Sequence, residues 1–220
     1  MKQLIIYGVG SYAKQMFKYN ERYGLYDIIG FVDDNPNAGT EFCGKPVMNF
    51  TELVWGGYLS NSQLVIISSI GYTRCNTHRE DSIKRIREAG FEVGNFISPN
   101  ANCWEGSIKG KNVIVFDNVF VGVDCEIGDG VIISEGTTLS HDVKVGNWVF
   151  FSDEVTVGGF ARIGDNSFVG LNSTIKSDTK IGKYNIIGCG TNVLHDTEDC
   201  CVTVGNPGRC KNKDTLNMQI

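Results

Sequence analysis

Proline is scarce in this 220-residue chain: four residues stand against 27 glycines. Glycine, at about 12%, is well above the usual ~7%, and proline does not rise with it. That combination excludes collagen-like and proline-rich disordered sequence, in which the two climb together. A basic excess is missing too. Twenty Lys and Arg against 25 Asp and Glu leave a net charge of −5, which argues against a nucleic-acid partner. No apolar run approaches the ~18 residues that span a bilayer, and the apolar start at residues 1–7 is too short for a signal-peptide core. No membrane insertion is expected, and the expected location is cytoplasmic. No C-x-x-C pair occurs among the eight cysteines, so no metal site is expected. The cysteines, including the vicinal Cys200-Cys201, read as small buried hydrophobes of a reducing compartment.

What is present is enough to build a core: 41% hydrophobic residues and 20% charged. Residues 1–96 alternate strand and helix patterns. Apolar runs at 3–7, 28–32, 64–68 and 91–96 read as strands. A helix carrying Ala13, Met16 and Phe17 on one face follows the turn Gly8-Val9-Gly10, and helices are also expected at 51–59 and 78–89. This order implies a small α/β, Rossmann-like domain with a parallel sheet.

From residue 97 the pattern changes to a strict period of six. Of the 17 residues from Ile97 to Val193 taken six apart, 15 are Ile, Val, Leu or Phe. The residue after is glycine at nine of those places, and the residue four after is small or β-branched almost throughout, Asn185 being the exception. Six fits neither the 3.6 of a helix nor an alternating hairpin array. It fits a short strand and a tight corner, three of which close a triangular coil of 18 residues, stacked as a parallel β-helix. Glycine is expected to give the corner its backbone freedom. The two imperfect hexads, at Cys103 and Lys109, fall in the first coil, where a capping unit is atypical.

Over residues 97–209 this pattern resembles the hexapeptide-repeat acyltransferases, whose coils wind left-handed and which are typically homotrimers. The run Val204-Gly205-Asn206-Pro207-Gly208-Arg209 is similar to the G-x-P-A-[KR] segment that ends the β-helix in acetyl-CoA-dependent members, with Gly208 in place of the usual alanine. The whole chain resembles the nucleotide-sugar acetyltransferases, including bacillosamine and perosamine N-acetyltransferases and sialic acid O-acetyltransferases. The expected division is 1–96 for nucleotide-sugar binding, 97–198 for the acyltransferase β-helix and 199–220 for a coenzyme-contacting C-terminal segment. The resemblance implies acetyl-CoA as cosubstrate, a nucleotide-linked amino sugar as acceptor, and a homotrimer. Acetylation of a sugar hydroxyl and a non-enzymatic β-helix scaffold are the alternatives.

His141 stands two residues after the inward Leu139, at a corner, so its side chain should point outward. An imidazole suits removal of a proton from an amine attacking a thioester. Family members carry His followed by Glu or Asp here, which His141-Asp142 matches, so the resemblance makes His141 the general base and Asp142 its partner. Residues 18 apart stack, which puts Gly159 about 5 Å from His141 along the axis, followed by Ser177 and His195. Having no side chain, Gly159 is expected to leave room for a thioester and to offer its N–H to the oxygen that gains charge. The resemblance extends coenzyme contacts to Gly159, Leu171, Cys189 and Asn206, and to Phe150, which stands where bacillosamine enzymes have a histidine. In the first domain it implies Gly10, Ser11 and Tyr12 at the sugar and phosphates, Asp33 and Asp34 at the ribose or base, and Gly71 near the base. A dinucleotide enzyme would use the same glycine turn, but fewer than 100 residues precede the repeat. Arg74 and Arg79 are further candidates for a diphosphate.

Overall fold

The computed structural model describes residues 1–212 and 214–218. The chain divides into two units, Met1–Gly71 with Arg79–Phe96, and Tyr72–His78 with Ile97–Ile220. The segment Tyr72–His78, expected in the α/β part, therefore belongs with the repeats.

In the first unit, β1 (Gln3–Tyr7), α1 (Ser11–Tyr23), β2 (Asp27–Val32), β3 (Glu41–Phe42), β4 (Lys45–Met48), α2 (Phe50–Trp55), β5 (Leu64–Ser68) and α3 (Thr77–Glu88, which begins in the second unit) follow in order. The sheet order is β3-β4-β2-β1-β5, with β4, β2, β1 and β5 parallel and β3 a short antiparallel edge. The apolar runs of β1 and β5 are buried from Leu4 to Tyr7 and from Leu64 to Ser68. α1 sets Ala13, Met16 and Phe17 inward and stops at Gly24, left-handed at φ 63°. α2 starts on a capping box between Asn49 and Glu52 and ends earlier than the sequence pattern, at Trp55. The strand expected at 91–96 is reduced to a bridge from Val93 to Ile66 and a two-residue strand, Phe96–Ile97.

The second unit is the left-handed β-helix. Its two-residue strands stack 18 residues apart into three parallel walls. One wall runs through Ile114–Val115, Ile132–Ile133, Phe150–Phe151, Phe168–Val169 and Ile186–Ile187. A second runs through Asn102–Cys103, Phe120–Val121, Thr138–Leu139, Thr156–Val157, Thr174–Ile175 and Asn192–Val193. The third runs through Glu126–Ile127, Lys144–Val145, Arg162–Ile163 and Lys180–Ile181. The second residue of each pair from Val115 to Val193 points into one continuous apolar core. The first points out, and the walls differ there. Ile114, Ile132, Phe150, Phe168 and Ile186 are buried, whereas Glu126, Arg162 and Lys180 are exposed.

Two details depart from the sequence reading. The left-handed backbone of the corners lies not at the glycine after each aliphatic but two residues later. Asn112, Asn118, Asp124, Asp142, Trp148, Glu154, Phe160, Asn166, Asn172, Asp178 and Tyr184 occupy it with φ between 53° and 62°. The glycines answer to crowding instead: a β-carbon at any of the nine would stand 2.2–2.8 Å from an atom of the next coil. The repeat phase also slips once. Ile108, not Lys109, pairs with Ile127 and packs on the core, while Lys109 is exposed.

Past the last full coil, Cys201–Val204 extends the first wall beside Ile186–Ile187 and turns back through Arg209–Asn212 as an antiparallel hairpin. Residues 199–212 thus continue the β-helix. The hairpin corrects the expectation for the cysteines. Its register sets Thr203 opposite Cys210 and Cys201 opposite Asn212, so Cys201 and Cys210 are diagonal neighbours and are joined as a disulfide, Cα atoms 5.7 Å apart. Cys200 remains a free, exposed thiol. Among the described residues no helix is long and apolar enough to cross a membrane.

Candidate active site

His141, Asp142 and Gly159 meet at the corner that follows the second wall. The backbone of this corner is pinned from coil to coil: Asp142 N–H donates to the Val123 carbonyl (2.9 Å), Phe160 N–H to the His141 carbonyl (3.1 Å), and Asp178 N–H to the Gly159 carbonyl (2.9 Å). Asp142 takes the left-handed conformation, φ 58°, which a short polar side chain tolerates. That turn brings its carboxylate back to His141, Oδ2 lying 2.9 Å from Nδ1. The imidazole itself is half exposed. With Nδ1–H donated to Asp142, the lone pair resides on Nε2, the nitrogen left to accept a proton.

Gly159 is closer to the ring than stacking alone implies. A β-carbon there would stand 2.6 Å from His141 Cε1 and 2.7 Å from Nε2. The missing side chain therefore makes room for the imidazole. The Gly159 N–H makes no hydrogen bond among the described residues. The signal that found this trio was the 18-residue register. What that register missed is Phe160, whose ring meets the imidazole edge-on, centroids 5.1 Å apart at 85°.

The other expected coenzyme contacts are distributed differently. Leu171 and Cys189 are exposed, but they occupy the corner column before the second wall, above Asp117, Glu135 and Asp153. The outward faces of Thr138, Thr156 and Thr174 lie between that column and the one with His141. Burial, reinforced by the neighbouring Glu135 carboxylate, raises the pKa of Asp153. Asn206 is exposed in the hairpin turn, which leans onto the last strand of the second wall: Asn192 N–H donates to Gly205 (3.2 Å) and Gly208 N–H to Asn192 (2.8 Å). A β-carbon at Gly208 would lie 2.9 Å from the Asn192 carbonyl oxygen, which accounts for glycine where related sequences have alanine. Phe150 is a correction. It is buried in the first wall, stacked on Phe168 (5.5 Å) and capped by Tyr72 (5.0 Å), so its ring offers no open face to a ligand.

In the first unit, the strand order reverses direction at β1, which lies between β2 and β5, and the crevice at the carboxyl ends of such strands is where open α/β sheets bind ligands. Gly8-Val9-Gly10 leaves β1 there. Gly8 has φ 107°, and a β-carbon on it would approach Ser69 Oγ at 3.0 Å. Gly10 precedes α1 with open space around it, and Ser11 is exposed. Tyr12 lies across Gly71, at 3.3 Å from where a β-carbon would be. Asp33 accepts from Val9 N–H (3.1 Å) and Asn35 N–H (2.9 Å), tying the glycine turn to the end of β2.

Asp34 and Arg79 serve the unit's own frame. Asp34 accepts from Phe50 N–H (2.8 Å), from the Tyr7 hydroxyl (3.2 Å) and from Arg85, whose guanidinium also covers the Phe50 ring at 4.0 Å. Burial pushes its pKa up, but the Phe50 N–H and Arg85 outweigh that and hold the carboxyl below its ordinary value. Arg79 is fully buried and donates to the carbonyls of Ile70 (3.2 Å) and Gly71 (2.6 Å), so it shapes the loop beside Tyr12 instead of facing a diphosphate.

Residues 3–86 match the PglD N-terminal domain family. No curated protein matches the chain in sequence. Among solved structures, the acetyltransferase domain of PglB from Neisseria gonorrhoeae FA1090 is 26% identical, with a TM-score of 0.86 over 96% of this chain and 100% of that one. PerB from Caulobacter crescentus, solved with CoA and GDP-perosamine, is 26% identical, with a TM-score of 0.84 over 96% of this chain and 98% of that one. WeeI from Acinetobacter baumannii AYE shares the fold at 20% identity and a TM-score of 0.75, over 96% of this chain and 100% of that one. Residues 3–86 thus match the PglD N-terminal domain family, and the whole chain shares the architecture of the PglB acetyltransferase domain and of PerB.

Proposed function

We propose that this protein transfers an acetyl group from acetyl-CoA to the amine of a nucleotide-linked amino sugar, in the synthesis of a bacterial surface glycan. The observation that carries this reading is the His141–Asp142 pair with Gly159 packed against the imidazole. The similar PglB domain has been solved with acetyl coenzyme A, and PerB with CoA and GDP-perosamine, which supports both substrate classes.

In the proposed reaction the sugar amine attacks the thioester carbonyl carbon. His141 Nε2 takes the proton the nitrogen must lose, and Asp142 holds Nδ1–H and stabilises the imidazolium that forms. The negative charge on the carbonyl oxygen is met by the Gly159 N–H. As the C–S bond breaks, the proton passes from His141 to the departing sulfur, leaving an amide and free coenzyme thiol. Leu171, Cys189 and Asn206 are assigned to coenzyme contacts, and Gly10, Ser11, Tyr12, Asp33 and Gly71 to the nucleotide sugar. A homotrimer belongs to the proposal, because each wall is flat and a cleft needs a second one.

The test is an assay of acetyl-CoA consumption with nucleotide-linked amino sugars and their hydroxyl counterparts, for the wild type and His141→Asn. Amine-dependent thiol release that drops by about a hundredfold or more in the variant is expected. Wild-type turnover in the variant overturns the base assignment. Consumption with the hydroxyl acceptor alone overturns N-acetylation.

A further inference from the structure

Phe160 sits where the corner backbone disfavours it. Its φ is 62°, in the left-handed region that costs a bulky side chain more than Asn or Asp. The residues stacked with it 18 apart, Asp124, Asp142 and Asp178, are all aspartate, with φ of 57°, 58° and 60°. Burial does not repay the strain. The residue is 53% exposed, whereas of the other two large aromatics at equivalent corners Trp148 is 8% exposed and packs over Gly130, and Tyr184 is partly buried. An exposed aromatic kept in a strained conformation points to a role other than packing.

Its surroundings show what that role is. The ring stands edge-on to the His141 imidazole, centroids 5.1 Å apart and planes at 85°, an arrangement favoured by the ring quadrupoles. The Phe160 N–H holds the carbonyl of His141 at 3.1 Å, so the residue grips both backbone and side chain of the same histidine. Asp142 fixes the imidazole at Nδ1, and the Gly159 backbone lies beside Cε1 and Nε2. The half-exposed imidazole keeps its side-chain torsions, and the edge-on contact of Phe160 adds a third hold on it.

We propose that Phe160 is a positioning residue that locks the rotamer of His141, with backbone strain accepted in exchange. This rests on the reading of His141 as the base. It concerns turnover, not binding of the acyl donor, since misplacing a base by about 1 Å costs up to a hundredfold in rate.

The experiment compares Phe160→Asn, Phe160→Leu and Phe160→Tyr with the wild type. Asparagine suits the left-handed corner, so that variant should melt at or above the wild-type temperature while kcat falls at least about tenfold at unchanged KM for acetyl-CoA. Tyrosine should restore most of the rate and leucine only part of it. In NMR spectra the His141 ring protons should lose the ring-current shift from Phe160 in the asparagine and leucine variants and keep it with tyrosine. Wild-type kcat in Phe160→Asn, or ring-proton shifts indifferent to residue 160, overturns the proposal. His141→Ala, run alongside, separates the two claims: full activity there defeats the base reading, whereas loss of activity there with full activity in Phe160→Asn defeats only the positioning role.

Discussion

The His141 imidazole lies against the bare Cα of Gly159, so near that a β-carbon would stand 2.6 Å from Cε1 and 2.7 Å from Nε2. The fold tolerates a side chain here better than the site does. Gly159 is not among the glycines with positive φ, so alanine meets no backbone penalty, and the atoms it strikes are the end of a movable side chain. Gly159→Ala should therefore push the imidazole outward. The expected result is a melting temperature close to wild type and a fall in kcat of about a hundredfold. Steady-state kinetics beside a thermal melt checks this, and a variant turning over at the wild-type rate contradicts the assigned geometry.

Asp142 has two roles that substitution can separate. Its backbone holds a φ of 58°, and its carboxylate holds His141 Nδ1 at 2.9 Å. Asparagine accepts the same backbone and keeps an oxygen for Nδ1–H, but loses the charge that stabilises an imidazolium. Alanine loses both and is strained at positive φ by about 1 kcal/mol. Asp142→Asn should keep the melting temperature and lose about tenfold in kcat. Asp142→Ala should lose about a hundredfold and also melt lower. Equal, small effects in both variants would reduce Asp142 to a turn residue.

The site was legible wherever it depends on period. Six-residue spacing announced the β-helix, and the 18-residue register placed Gly159 beside His141 without coordinates. Contacts that break the period were not legible. Phe150 has the outward position of its strand, yet Tyr72, more than 70 residues earlier in sequence, caps it. Ile108 takes the place of Lys109 because a lysine ammonium cannot enter the apolar core, and one residue of slip costs less than burying it. Asp34 looked like a ribose ligand at a strand end, but its fate is settled by Arg85 on α3 and Phe50 on α2. Phe160 was invisible as a site residue because the repeat marks its position only as a corner.

The Asp34 network predicts a pH dependence. Its folded pKa lies below the ordinary carboxylate value near 3.8, against burial, because the Phe50 N–H and Arg85 favour the charged form. Stability from this group is thus fully present above the unfolded pKa and is lost as the pH falls through the lower folded value. The side chain is partly exposed, so the gain is under about 1 kcal/mol. Melting temperatures of the wild type and Asp34→Asn should differ most near neutrality and converge in acid as the pH falls through the lowered folded pKa. Parallel curves over that range would place the stabilisation elsewhere.

The Cys201–Cys210 disulfide clips the last hairpin, whose turn carries Asn206 and bonds to Asn192 of the second wall. Closing a loop across nine residues of separation removes unfolded-state entropy corresponding to about 2–3 kcal/mol. The benefit is local, because Arg209–Asn212 is an edge strand paired on one side only and can fray without opening the coils below. Reduction, or Cys210→Ser, should therefore speed amide exchange at Gly208 and residues 209–211 while the amides of the central coils keep their protection. If the turn contributes a coenzyme contact, the same treatment should weaken the thermal stabilisation given by coenzyme A, and His141→Asn should leave that stabilisation intact. Hydrogen exchange with and without reductant decides the first point: unchanged protection at Gly208 would show that the backbone ladder, and not the disulfide, holds the turn in place.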